Sequence, residues 1–400
     1  MKISAVGCCL IDYLYADCDY QDTEFQNLLS THTGDGGLIQ GGLVFAEDLE
    51  AFAGKPFSEL IDTLNRGKHP ATNLGGPAII SLIHVSQVMH NLPVSCSFFG
   101  IIGKDHDGTL IKEYIGKTDV EAAFIELGTH PTPTTYVLGD RHALGGKGER
   151  SFINVIGAAG ELTSHDIPNE LFDTDLFVLG GTALLPALHE ELELLLTRAK
   201  RAGAMTIVGT IFDFKNEKKN PQGRWPYGKK DAYKLTDLLV CDTQEAIRLS
   251  GTTDIESAAK WFIAAGVPAF IITHGSQDIL AWASSDSLFH TTELTYYPVC
   301  KHVDDMLHAD PSLLMDTTGC GDNFLGGVII SITRQLLVES DGLLDLQDAV
   351  LWGGASGGLA LLFHGGLFHE SSKGQKEQLL MPIVAAYKKQ FDVAHDQSEN

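Results

Sequence analysis

"MDTTGCGDNFLGGVII", residues 315–330, decides how this chain is read. Two threonines, two glycines and two aspartates crowd into residues 316–322, just where an apolar pattern begins. Leu325, Val328, Ile329, Ile332 and Leu336 recur at helical spacing, so the periodicity predicts a helix starting close to Asp322. Gly319, Cys320 and Gly321 then form its entry. Backbone N–H groups at such an entry have no intrahelical partner, and the helix dipole adds roughly half a positive charge there. Glycines let an anion come close. The stretch reads as a hole for a phosphate with a carboxylate, Asp322, beside it. The same dipole favours the ionised carboxylate, which can accept a proton from an attacking hydroxyl. An ordinary helix N-cap is the alternative, because aspartate caps helices and glycine fills turns. No G-x-x-x-x-G-K-[ST] phosphate loop occurs elsewhere in the chain as a rival.

Composition narrows the partners. Apolar residues make up 44% and charged residues 20% of 400, the balance of a globular chain with a large core rather than a disordered one. The formal net charge of −24 repels phosphate backbones and argues against nucleic acid as a partner. A small anionic ligand stays open, because local backbone dipoles can override a global field. The seven cysteines include no C-x-x-C pair, which argues against a zinc ribbon, and an odd scattered set suits a reducing, cytoplasmic compartment. The opening "MKISAVGCCLIDYLY" is cut by Asp12 and reads as a first strand, not a signal peptide. No apolar run reaches membrane-spanning length.

Along the chain, short apolar runs alternate with helical patterns. "ISAVGCCLI", "PVSCSFFG", "LFVLGG", "AMTIVGTIF", "LLVC" and "AFIIT" read as buried strands. "GGPAIISLIHVSQVMH" reads as a helix with Pro77 in its first turn, and another helix runs from Pro186 to about Gly203. This alternation predicts an α/β fold: a three-layer α/β/α domain with a mostly parallel central sheet. Two segments break the rhythm. Residues 13–72 hold no strong helix and are rich in Gly, Asp and Thr, and residues 124–156 carry the short strands "AAFIEL", "TTYVLGD" and "RSFINVI". We expect both to be inserted into one domain spanning 1–400 and to form a small β-sheet lid over the carboxyl ends of the strands.

With those pieces in place, "DTTGCGDNF" resembles the C-terminal signature of the ribokinase-like (PfkB) family of sugar and nucleoside kinases, D-T-x-G-A-G-D-x-F. Asp316, Thr317, Gly319, Gly321, Asp322 and Phe324 match, and Cys320 replaces a small alanine. The resemblance implies that Asp322 is the catalytic base and that Gly319, Cys320 and Gly321 form the anion hole. It extends along nearly the whole chain. "VGCCLIDYLY" is similar to the family's first strand, whose aspartate, here Asp12, binds substrate hydroxyls. "NLGGPAIISLI" is similar to the G-G-x-x-x-N segment by the substrate, with Gly75 and Gly76 matching and Ile80 in place of the sugar-binding asparagine. "FFGIIGKDHDGTLI" and "GKGERSFINVIGAAGEL" resemble two further family segments. "DLLVCDTQEAIRLSG" resembles the N-x-x-E segment of the metal–phosphate region, giving Glu245 and Asp242 as Mg²⁺-side residues. "IITHGSQD" is similar to a nucleotide-contacting loop, giving Thr273 and Gly275, and Thr318 joins them on the nucleotide side.

The resemblance thus implies an ATP- and Mg²⁺-dependent kinase acting on a hydroxyl of a sugar or sugar-like molecule. A nucleoside kinase of the adenosine type is the alternative, and an apolar Ile80 leans that way. A catalytically silent binding protein would be expected to have lost the base or the hole, and both are intact. No membrane or nucleic-acid partner is expected. A lid sheet with an exposed face predicts a homodimer joined through the lid.

Overall fold

The computed structural model describes every residue except 33, 67, 144–147, 229–231, 316, 339–341, 399 and 400, and the backbone alone for 392–398. Half of "GGKGER", residues 145–150, which reads in the sequence as a hairpin loop between two lid strands, lies outside the described residues.

Strands β1 (Lys2–Gly7), β2 (Leu10–Tyr15), β3 (Leu43–Phe45), β4 (Ala71–Gly75), β5 (Ser95–Gly103), β6 (Val120–Leu127) and β7 (Thr134–Asp140) come first. They are followed by β8 (Glu149–Val155), β9 (Leu176–Gly180), β10 (Met205–Gly209), β11 (Leu238–Asp242), β12 (Ala269–His274), β13 (Gln277–Ala283) and β14 (Thr292–Tyr297). They make two sheets. The nine-stranded one runs β14-β13-β12-β11-β10-β9-β1-β5-β6. Its pairs from β12 to β6 are all parallel, and β13 and β14 add an antiparallel edge. Helices cover both faces of this sheet, and two apolar clusters lie on either side of it, as burial on both faces of a parallel sheet requires. The α/β fold with a mostly parallel sheet is the one the alternation predicts.

Two helices meet over the carboxyl ends of the central strands: Pro77–Val88 and Cys320–Leu337. Their close approach has a sequence cause. Gly7, Gly180 and Gly209 end β1, β9 and β10 in register. A Cβ on Gly180 would stand 2.6 Å from the Ala78 nitrogen, and one on Gly209 would stand 2.5 Å from the Leu325 side chain. Any larger residue there would push one of the two helix starts away from the sheet.

The small sheet has five strands in the order β3-β8-β7-β2-β4. Three expectations change here. "AAFIEL" is not part of it: those residues belong to β6, the edge of the large sheet, parallel to β5. An edge strand alternates buried and exposed residues much as a lid strand does, which is why the pattern misleads. The small sheet's second strand also begins earlier, at Leu10. Residues 13–72 do contain helices, Thr23–Asn27, Ala46–Ala53 and Phe57–Asn65. They pack on the outer side of the small sheet, where Tyr20, Phe25, Leu49, Leu60 and Ile61 join Leu138 and Ile153 in a separate apolar cluster. The exposed lid face on which the homodimer expectation rested is therefore covered by the chain itself.

Candidate active site

The helix predicted near Asp322 begins at Cys320, with Gly319 as its N-cap in the left-handed region at φ +78°. A Cβ on Gly319 would stand 2.3 Å from the Gly366 Cα, so the residue-365 loop presses directly on the helix start. A Cβ on Gly321, by contrast, would meet nothing within 4 Å. The side of the helix entry at Gly321 is open, as an anion would need. Asp322 is the third residue of the first turn. Its carboxyl is pushed up by burial to about 7. This corrects the expectation that the dipole holds it ionised. A dipole contributes about 0.3–1 kcal/mol, less than one pKa unit, and desolvation outweighs it. A carboxyl titrating near neutrality suits a general base better than an ordinary aspartate does.

The substrate-side residues come to the same place by a chain of contacts. β2 and β4 pair so that Asp12 lies opposite Asn73, with Gly75 nearby. A Cβ on Gly75 would stand 2.5 Å from the Asp12 Oδ2, and one on Gly76, at φ +117°, would stand 2.1 Å from the Cys8 carbonyl oxygen. Both glycines are thus required by close approach, and Gly76 caps the Pro77–Val88 helix. One turn further on, the Ser81 hydroxyl donates to the Asp322 carbonyl oxygen at 2.8 Å and to that of Pro77 at 2.7 Å, tying the two helices together. Ile80 is buried, with its side chain against the Gly366 loop.

Register places Asn154, Thr135 and Asp12 in one row across β8, β7 and β2. Asn154 donates to the Thr135 hydroxyl at 3.0 Å. Arg150 lies on the same face of β8 by the two-residue period. Its guanidinium donates to the hydroxyl of Thr318 at 2.5 Å and to that of Thr317. This arginine, which the sequence reading did not single out, links the small sheet to the glycine-rich helix start. The period-2 pattern of "ERSFINV" was the available signal.

On the other side of Asp322 stand Asp242 and Glu245. They form a reciprocal capping box at the start of the Thr243–Ser250 helix. The Glu245 N–H donates to Asp242 at 2.8 Å, the Asp242 N–H donates back to Glu245 at 3.0 Å, and Thr210 donates to Glu245 at 2.6 Å. Glu245 is not the solvated surface carboxylate its amphipathic helix suggests, since it is 7% exposed. Burial raises both pKa values, and for Glu245 the Asp242 and Asp322 charges add to the rise. Thr273 lies opposite Asp242 on β12, and Gly275 makes the β12–β13 turn at φ +58°. Among the described residues, no three His, Cys, Asp or Glu side chains are grouped to cage a metal ion. Mg²⁺ does not need such a cage, because it uses one or two carboxylates, waters and substrate phosphates. Buried Glu245, half-buried Asp322 and exposed Asp242, all three raised above the ordinary carboxylate range, fit a missing counter-charge of this kind.

Comparison with known proteins bears on the family and the fold. Residues 48–370 match the profile of the pfkB family carbohydrate kinase. The aminoimidazole riboside kinase of Salmonella typhimurium is 23% identical over 262 residues, 63% of this chain and 72% of that protein. Among solved structures, adenosine kinase from Schistosoma mansoni in complex with 2-fluoroadenosine superposes with a TM-score of 0.68 at 17% identity, covering 92% of this chain and 97% of the other. Ribokinase from Thermotoga maritima gives 0.62 at 18% identity, covering 96% and 99%. These likenesses, all below a quarter identity, speak to the fold.

Proposed function

Because the chain belongs to the pfkB family of carbohydrate kinases, and is thus a phosphotransferase with a hydroxyl acceptor, we propose that it transfers the γ-phosphoryl group of ATP to a hydroxyl of a sugar or sugar-like molecule at the Asp322 helix start. The observation that carries this reading is the pairing of an open Gly321 entry with a carboxyl raised to about 7 one residue later. Asp322 takes the proton of the acceptor hydroxyl. The N–H groups of Gly319, Cys320 and Gly321 lower the energy of charge building on the transferring group. Asp12, with Gly75 and Gly76 allowing close approach, orients the acceptor. Thr273, Gly275 and Thr318 face the nucleotide, and Arg150 adds positive charge from the small sheet. Asp242 and Glu245 would hold Mg²⁺ through water, and the ion would supply charge neutralisation for the phosphates.

A nucleoside acceptor is the second reading. The buried, apolar Ile80 favours it, because an asparagine there would offer a sugar hydroxyl a partner that isoleucine cannot. Turnover of ATP across a panel of sugars and nucleosides separates the two. Asp322→Asn should lower kcat on the best acceptor by at least about a hundred-fold with little change in ATP binding. Near-normal kcat in that variant would falsify the assignment.

A further inference from the structure

Lys376 is an unusual residue to find in an interior. It is 1% exposed, near the start of the C-terminal helix Gln375–Ser398, and burial lowers its pKa to about 7. A buried ammonium is costly unless something requires it. Its Nζ donates to the Asn323 Oδ1 at 2.8 Å and lies 5.5 Å from the centre of the Phe363 ring and 6.0 Å from that of Phe368. Asn323, 0% exposed, follows Asp322 directly. Its Nδ2 donates to the Gly319 carbonyl oxygen at 2.9 Å and to the Gly366 carbonyl oxygen at 3.0 Å. These are the two residues whose backbones press together at the helix start.

We infer that Lys376 is a positioning residue for phosphoryl transfer, acting through Asn323 to clamp the Gly319 N-cap against the Gly366 loop. The chemistry is directional. An ammonium only donates, so it accepts no orientation of the amide but the one with Oδ1 toward it. That orientation aims Nδ2 at the two carbonyls. Without the ammonium, the Asn323 Oδ1 is left buried with no donor, a cost the amide can relieve only by shifting toward another donor, and the clamp loosens. The N–H groups of residues 319–321 would then lose their fixed aim at the transferring group, while the acceptor site around Asp12 would keep its contacts.

The inference rests on the kinase reading for its catalytic consequence, and its structural part is separately measurable. Lys376→Met is the informative variant, because it keeps nearly the length of the side chain and removes the donor to Asn323. We expect kcat to fall about ten-fold or more, with the acceptor KM within about three-fold of wild type. Asn323→Leu should behave alike, and the double variant should be no worse than the poorer single one, because both remove one clamp. Amide hydrogen exchange at 319–322 and 365–366 should quicken in Lys376→Met while exchange in β9 and β10 stays as in wild type. If the folded variant keeps wild-type kcat, or if losses multiply in the double variant, the inference is overturned. Asn323→Asp covers the case in which Lys376→Met does not fold: it keeps the acceptor for the lysine and removes the Nδ2 donors. Wild-type kcat there sinks the idea equally. If wild-type protein phosphorylates nothing, the kinase reading fails, and the exchange measurement still decides whether the clamp exists.

Discussion

At the scale of single residues, Asp322 couples chemistry to stability. Its folded pKa is about 7, against 3.8 for an unperturbed aspartate. Between those values the folded chain holds a proton that the unfolded chain has released. Stability from this group is therefore full below about pH 4, falls as pH rises toward 7, and is flat above. Asp322→Asn removes the titration. The unliganded variant should therefore unfold at a higher temperature than wild type at pH 8, by a few degrees, and at nearly the same temperature at pH 4. Thermal unfolding at both pH values checks this. A variant no more stable than wild type at pH 8 would mean that the carboxyl is not desolvated. The place of this residue in the first turn of a helix was legible in the sequence, because its motif is local. It did not foretell the protonation state, which depends on what covers the carboxyl. Arg150 and Lys376 were missed for the same reason. They reach Thr318 and Asn323 across 168 and 53 residues of chain, and no spacing rule joins them.

At the scale of elements, the two glycines of "TGCG" have different jobs. Gly319 is a packing and backbone requirement: φ +78°, with Gly366 against it. Gly321 is neither, since the space beside it is open. Positive φ is found at Gly319 and not at Gly321. The two substitutions should separate cleanly. Gly321→Val should leave the circular dichroism and melting temperature near wild type and abolish turnover, because the side chain fills the anion's place. Gly319→Val should lower the melting temperature markedly as well, because the αL conformation and the Gly366 contact both exclude a branched side chain. Equal thermal stability of the two variants would contradict this division. Strand and helix order were readable where apolar runs were long. The helices at Ala46–Ala53 and Phe57–Asn65 were not, because eight or nine residues give only two turns of periodicity amid Gly and Asp.

At the scale of the whole molecule, the covered small sheet decides the assembly expected. A sheet invites a partner through an exposed apolar face or an open edge. The outer face here is closed by the chain's own helices through Phe25, Leu49, Leu60 and Ile61. One edge, β3, is three residues long. The other, β4, is flanked by Asn73 donating to the His364 carbonyl oxygen at 2.8 Å and by the Tyr114 hydroxyl donating to the Thr72 carbonyl oxygen at 3.0 Å. The inner face turns toward the helix start through Arg150. A second copy could pair lid to lid only by stripping away residues that already bury an apolar cluster, and that loss would oppose the gain from association. Light scattering of the full chain at micromolar concentration should therefore give the monomer mass of 43.2 kDa. A stable mass twice that value would show that another surface associates. If deleting residues 46–65 then left the dimer intact, the small sheet would have no part in it. If the deletion dissolved the dimer while the remainder stayed folded, the helices that cover the sheet would themselves be the interface, and the argument from a covered face would be wrong.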